Sequence, residues 1–261
     1  MDLNLEGKRA VVCGSTQGIG KASAIELALL GASVTLVARN ESKLQSVVKE
    51  LNGSAGQKHN YLVADFEIPD TLKKVVDGFA ASQIAHILVN NTGGPPAGSA
   101  IDAPLDEYIR AFQSHLLCNH ILVQALVPGM KKQNFGRIIN IISTSVKTPI
   151  KGLGVSNTIR GAVANWAKTL SVELAPFGIT VNNVLPGATI TQRIQSVLQE
   201  KADKSGKSVE ELKKEMIAEI PAGRISEPYE VAAAVAFLAS PAAGYINGIN
   251  IPVDGGRTKS L

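Results

Sequence analysis

The stretch Lys8-Arg9-Ala10-Val11-Val12-Cys13-Gly14-Ser15-Thr16-Gln17-Gly18-Ile19-Gly20 decides the fold of this chain. Residues 8–13 read as a strand and residues 18–30 as a helix. Gly14 lets the chain turn sharply between them. Gly18 and Gly20 have no Cβ, so a phosphate and the neighbouring strand can approach closely. The helix that opens there offers free N–H groups and the positive end of its dipole to a pyrophosphate. A glycine triplet alone describes no more than a tight strand–helix turn. Here it sits inside a strand–turn–helix–strand unit, because SVTLVA (33–38) follows as a second strand, and that context points to dinucleotide binding.

The same alternation runs outward to the end of the chain. A charged, periodic helix (41–52) precedes a third strand, NYLVAD (60–65), and a helix over 69–82. HILVNN (86–91) is a fourth strand, followed by a Gly/Pro-rich loop (93–104) and a long helix over about 105–132. RIINIIS (137–143), a helix over 153–175 and ITVNNVL (179–185) continue the rhythm. A helix over 227–239 and a last strand and glycine turn, NGINIPVDGG (247–256), close it. Continuously apolar strands spaced by helices imply a parallel sheet covered on both faces. The order predicts an α/β fold with a doubly wound parallel sheet, in one domain spanning 1–261.

Composition narrows the function classes. The chain has 261 residues, 45% of them hydrophobic and 18% charged, which suits a large core and excludes disorder. Lys and Arg number 26 against 22 Asp and Glu, a net charge of +4. That excess is too diffuse to suggest nucleic acid. No apolar run is long enough to span a membrane, and no secretory signal is visible at the N-terminus. Cys13 and Cys118 form no disulfide framework, so a cytoplasmic location is expected. No CxxC or HExxH spacing suggests a metal.

Residues 189–223 break the rhythm. They are polar and charged, with Gly206 in the middle, and fit two amphipathic helices joined by a turn. The plainer reading is a solvated insertion. The functional reading is a lid over a pocket, since the segment follows a strand end, where open α/β sheets bind ligands. Its lysines (Lys201, Lys204, Lys207, Lys213, Lys214) could attract an acidic acyl carrier, although its glutamates nearly balance them.

The end of the second strand reports on the ribose. An acid there would accept from the 2′-hydroxyl of NAD, but this chain has Ala38-Arg39-Asn40. A guanidinium can pair with a 2′-phosphate, and no carboxylate is expected to repel it, so NADP(H) is favoured over NAD(H). Arg39 as an ordinary surface residue is the plainer alternative. Asp65, at the end of the third strand, could accept from the adenine amino group or could cap the helix near 69.

These pieces resemble the short-chain dehydrogenase/reductase family, in particular members described as 3-oxoacyl-acyl-carrier-protein reductases. The motifs are GSTQGIG (14–20), ADF (64–66), VNNTG (89–93), GRIINIIS (136–143), ELAPFGITVNNVLPG (173–187) and INGINIPVDGG (246–256). The resemblance covers essentially the whole chain and implies a Rossmann-type sheet. It implies a cofactor site built from Gly14, Ser15, Gln17, Gly18, Ile19, Gly20, Asp65 and Phe66. Asn91, Thr92, Gly93, Pro186, Gly187 and Thr191 would complete it, with Thr191 on the nicotinamide carboxamide. It also implies a homotetramer or homodimer built on the two long helices and the C-terminal strand, and a small carbonyl or alcohol substrate, free or on an acyl carrier.

The catalytic pattern departs from the family. The family uses a Tyr and a Lys four residues apart, a Ser thirteen residues before the Tyr, and an Asn on the first long helix. GRIINIIS places the Ser at Ser143. Ser156 then stands where the Tyr belongs, Arg160 where the Lys belongs, and His115 at the Asn position. A phenol, with a reference pKa of about 10, is a far better acid than a serine hydroxyl. Arg160 can hold the cofactor ribose but stays protonated and shuttles no proton. His115, with a reference value of about 6.5, could supply the missing acid/base function, through Ser143 or a water. It could equally be a helix histidine bonded to a carbonyl. Ser143 could contact the substrate or satisfy local backbone groups, and Ser156 and Asn157 could cap the helix that carries Arg160. Two functions follow: an NADP(H)-dependent oxidoreductase with an altered proton-transfer apparatus, or a nucleotide-binding homologue that has lost turnover and acts as a sensor or oligomeric partner.

Overall fold

In a computed structural model, which describes residues 1–260, strand β1 (Arg9–Cys13) is buried from Ala10 to Cys13. It is buried because it lies inside a seven-stranded sheet ordered β3-β2-β1-β4-β5-β6-β7, flanked by β2 and β4. The other strands are β2 (Ser33–Ala38), β3 (Asn60–Val63), β4 (Ile87–Asn90), β5 (Gly136–Ile141), β6 (Ile179–Pro186) and β7 (Asn250–Val253). Every pairing is parallel, with Val11 level with Thr35 on one side and Leu88 on the other. This is the Rossmann-type α/β sheet expected from the strand–helix alternation.

Alternation along β1 sorts its side chains between two layers. Ala10 and Val12 join the core that packs against helices α1 (Gly18–Leu29) and α9 (Pro228–Ala239), through Ala24, Leu27, Val231 and Val235. Val11 and Cys13 face the opposite layer, with Leu72 and Val76 of α3 (Pro69–Ser82) and Leu122 and Leu126 of α5 (Cys118–Gln133). Ala167 and Leu174 of α6 (Gly154–Leu174) complete that layer. Helix α2 (Glu41–Glu50) begins at Asn40, whose Oδ1 accepts the Lys43 N–H at 2.9 Å. Pro69 opens α3, at a position whose N–H would lack a helical partner anyway.

A row of amides crosses the sheet. Asn90, Asn140, Asn183 and Asn250 stand level on β4 to β7. Asn90 donates to Asn140 at 2.8 Å, Asn140 to Asn183 at 2.9 Å, and Asn183 to Asn250 at 2.8 Å.

The sequence pattern predicts one uninterrupted helix over about 105–132. The structure instead has α4 (Leu105–Phe112), a π-helical turn (Gln113–Leu117) and then α5. A π turn carries an extra residue and re-aims its side chains, and His115 lies in it. Residues 189–223 do contain two helices, α7 (Gln192–Ser205) and α8 (Val209–Ala218). They join through Gly206 at φ +72°, and α8 starts with a Ser208–Glu211 capping box. Among the described residues no helix is long and apolar enough to cross a membrane.

Candidate active site

The parallel sheet brings its carboxyl ends to one edge, and the order reverses between β1 and β4. That is where open α/β sheets leave a crevice. A cavity of about 620 Å³ lies there. Its wall takes Gly14 after β1, Ala38 at the end of β2 and Arg39 after it, and Ala64 and Asp65 after β3. Asn91 and Thr92 follow β4, Ile142 and Ser143 follow β5, and Gly187 follows β6.

The glycine turn has the shape its sequence requires. Gly14 has φ +56°, and a Cβ there would lie 2.6 Å from the Asn91 carbonyl oxygen. A Cβ on Gly20 would lie 2.2 Å from the Gly14 oxygen. Asn91 ties the turn to β4 by donating from Nδ2 to the carbonyls of Cys13 and Gly14, at 3.3 and 3.2 Å. Gln17 precedes α1 in extended conformation, with no side chain capping the first turn. The leading N–H groups of a twelve-residue helix therefore point, uncapped, at the cavity wall formed by Gln17, Gly18 and Ile19. This cradle fits the pyrophosphate of a dinucleotide.

Most residues assigned to the cofactor line the cavity: Gly14, Gln17, Gly18, Ile19, Arg39, Asp65, Phe66, Asn91, Thr92, Gly93, Pro186, Gly187 and Thr191. Ser15 and Gly20 do not. Ser15 is fully buried and its Oγ accepts the Val37 N–H at 3.1 Å, locking the turn to β2. Gly20 serves close packing between the turn and β4.

Three expectations about local roles are corrected. Asp65 does not cap α3, whose N-cap is Ile68; Asp65 Oδ1 accepts the Glu67 N–H at 3.0 Å within the loop. Neither Ser156 nor Asn157 caps α6, which starts at Gly154 after Leu153. Asn157 instead pins Ile150, accepting from its N–H and donating to its carbonyl at 2.9 Å. Arg39 is not free of carboxylates either. Its tripeptide lacks one, but the loop after the adjacent β3 brings Glu67 to 3.8 Å, with both side chains exposed.

Ser143, Ser156 and Arg160 line the same cavity, on the far side from Arg39. Ser143 Oγ accepts the Ser145 N–H at 3.1 Å, capping a short turn over Thr144–Val146. Arg160 is 8% exposed and donates from Nη1 to the Ile141 carbonyl at 3.3 Å. Among the described residues it forms no ion pair. Burial, and secondarily Arg193, push its guanidinium down to about 10.

His115 does not reach the cavity surface. It is 2% exposed and hydrogen-bonded through Nδ1 to Thr92 Oγ1, which does line the cavity. Burial first, and then the charges of Arg160 and Arg193, hold it well below the usual histidine range. No tyrosine lines the cavity among the described residues. Tyr61 bonds Gln45 and Glu41 on the surface, Tyr108 bonds the Ala100 carbonyl, and Tyr229 and Tyr245 are exposed.

Sequence reasoning missed Arg193, in the first turn of α7. It lines the cavity, and its Nη2 donates to the Pro95 carbonyl at 2.6 Å. Its partner is 98 residues away in sequence. The only signal was its position two residues after Thr191, which caps α7 by accepting the Ile194 N–H.

Comparison with known proteins agrees with this architecture. A family model described as enoyl-(acyl carrier protein) reductase matches residues 14–258. The chain belongs to the short-chain dehydrogenase/reductase family of NAD(P)-dependent oxidoreductases. It is 35% identical over 257 residues to a 3-oxoacyl-[acyl-carrier-protein] reductase of Vibrio cholerae, covering 97% of this chain and 98% of that one. Among solved structures of the family, L-sorbose reductase from Gluconobacter frateurii, complexed with NADPH and L-sorbose, superposes with a TM-score of 0.92. That pair is 30% identical, with both chains fully covered. YwfH, an NADPH-dependent reductase of bacilysin biosynthesis, superposes with a TM-score of 0.90 at 28% identity, covering 97% of this chain and 99% of that one.

Proposed function

We propose that this short-chain dehydrogenase/reductase uses NADP(H) to interconvert a small carbonyl compound and its alcohol, without a phenolic acid. The observation that carries the reading is one shared cavity. It holds the glycine cradle at one end and Ser143, Ser156 and Arg160 at the other. When bound, the nicotinamide would supply or take the hydride. Arg39 favours the 2′-phosphate of NADP, with Asp65 on the adenine side and Thr191, Pro186 and Gly187 around the nicotinamide.

The hydroxyls of Ser143 and Ser156 donate to the carbonyl oxygen of the substrate. Arg160, a buried cation beside them, stabilises negative charge as it builds on that oxygen, where low dielectric magnifies its effect. None of these groups exchanges protons readily near neutral pH. The proton therefore comes from water, and Thr92 with His115 behind it fixes the wall rather than delivering it. Helices α7 and α8 act as the lid, and the apolar face of α4 to α6 serves oligomerisation.

The test has two arms. Fluorescence titration should show NADPH binding more tightly than NADH. A panel of carbonyl compounds should then show NADPH oxidation that Ser143→Ala and Arg160→Met each lower by about 10²-fold or more, as loss of an oxyanion donor does elsewhere. Tight NADPH binding with no turnover on any compound would favour the sensor reading instead.

A further inference from the structure

Resting on the carbonyl-reductase reading, we propose that the substrate is an anion: a compound whose carboxylate meets Arg193, across the cavity from Ser143, and whose remainder is apolar. Charge is distributed unevenly along the cavity. Its lining carboxylates, Asp65 and Glu67, lie with Arg39 at the adenine end. The other end is lined by Arg160, Arg193, Lys201 and Arg257, and by no carboxylate among the described residues. Acids stand behind two of these cations. Glu219 pairs with Arg257, and Glu200 lies near Arg193, with its Oε2 already accepting the Ala97 N–H at 3.1 Å. Arg160 has neither, although it is more than nine-tenths buried and faces the cavity. Burying a guanidinium without a counter-charge is costly, and here the cost is raised further by a second guanidinium close enough to depress the first. His115 adds no third charge because burial first, and then these same cations, hold it well below the usual histidine range.

An anion entering from solution would relieve this repulsion. The cofactor phosphates are not that anion, because the uncapped N-terminus of α1 and Arg39 hold them at the other end. Arg193 is placed for a carboxylate: the Pro95 carbonyl takes one nitrogen and the backbone of Gly94 lies against the guanidinium, so the planar fork is held fixed. Ile150, Leu153, Ile194, Val197 and Met216 supply apolar wall beside it. A charged head and an apolar tail are both accommodated.

The experiment measures binding without turnover, so that it fails separately from the reaction assigned above. NADPH-loaded protein is titrated by calorimetry with octanoate and with its neutral isostere octanamide. Octanoate is expected to bind at least about tenfold more tightly, the scale of one charge-assisted bidentate contact. Arg193→Gln should abolish that preference and Arg193→Lys should retain part of it, while NADPH affinity stays within about twofold. Octyl phosphate serves as a third probe. If it outbinds octanoate, the anion is a phosphate and the carboxylate assignment is wrong. Equal binding of octanoate and octanamide by the unmodified protein would overturn the proposal, even if Arg193→Gln fails to fold. So would competition between octanoate and NADPH, which would place the anion on the cofactor's own site.

Discussion

His115 is hydrogen-bonded through Nδ1 to Oγ1 of Thr92, and of the two only Thr92 reaches the cavity. The pair joins the π turn between α4 and α5 to the end of β4. Neutral imidazole is a poor acid, and burial beside two arginines keeps His115 neutral throughout the working range. The role proposed for it is therefore positioning. His115→Ala should lower kcat by about tenfold or less, through a displaced Thr92, and leave the shape of the pH profile unchanged. Disappearance of an ionisation near pH 6.5 in this variant would identify His115 as a proton carrier and refute the assignment.

Arg39 and Glu67 make a specific prediction for cofactor choice. Their exposed pair at 3.8 Å contributes little to stability. A 2′-phosphate would take Arg39 from Glu67 and meet the repulsion of that carboxylate. Arg39→Ala should weaken NADPH binding by about tenfold and NADH binding by less than about twofold. Glu67→Gln should tighten NADPH binding by a few-fold, an effect that fades with added salt. Equal loss of both cofactors in Arg39→Ala would assign the arginine to another part of the dinucleotide.

What could be read from sequence follows the range of the interactions involved. The turn after β1 was legible because glycine's special φ and close approach are local demands, and β1 to β7 because a sheet covered on both faces needs apolar strands. Glu67 opposite Arg39 was not legible, since it depends on β3 lying beside β2 and on the path of the loop after it. The resemblance places Ser15 in the cofactor site, but its hydroxyl turns inward to Val37. The π turn was not legible because no residue type marks where it is inserted, and α4 before it is too short to establish a stripe of its own. Arg193 was hidden among the charged residues of an amphipathic helix. Its role depends on Gly94 and Pro95, far earlier in the chain.

Ser156 and Arg160 allow the proton-transfer argument to be tested by addition. Ser156→Tyr with Arg160→Lys would place a phenol and an ammonium four residues apart on α6, both facing the cavity. The ammonium lowers the phenol toward working pH. The double variant should reduce a simple neutral ketone at least about tenfold faster than the unmodified protein, within the range of general-acid catalysis. It should also gain a basic limb in its pH profile. Ser156→Tyr alone should gain less. No gain in a folded, NADPH-binding double variant would mean that proton supply is not what restricts this site.

His86 sets an acid limit on stability. Its Nδ1 accepts the Arg9 N–H at 3.0 Å, and burial, with Lys8 and Arg9 nearby, pushes it down to about 4. Between pH 6.5 and 4 the unfolded chain binds a proton here that the folded protein refuses. Stability therefore falls as pH drops through that window and is unaffected above it. His115 acts with the same sign. Urea unfolding should show a loss on the order of 1–2 kcal/mol between about pH 6.5 and about pH 5, and His86→Asn, whose amide oxygen can still accept, should reduce it. A stability that is flat across this range would contradict both assignments.

The amide row predicts the opposite dependence on pH. Asn140 is fully buried, accepts from Asn90 and donates to Asn183. Asn140→Leu leaves an amide hydrogen and an amide oxygen unpaired in the sheet and should cost about 2–5 kcal/mol, as buried orphaned groups do. Asn140→Asp keeps the shape and replaces the donor with an oxygen that faces Asn183 Oδ1. While ionised, the introduced carboxylate also buries a charge with no counter-ion in the row. Its pKa should therefore be held well above the reference value of about 3.9. Once protonated, the same carboxyl regains an O–H that can donate to Asn183. For a carboxyl raised in the folded state, stability is present at low pH and lost as pH rises. Relative to the unmodified protein, Asn140→Asp should thus melt closer to it at about pH 5 than at about pH 7, which separates this effect from the histidine trend. Equal destabilisation at both values would mean that the row tolerates a carboxylate and that its hydrogen bonds are not what holds β4, β5 and β6 in register.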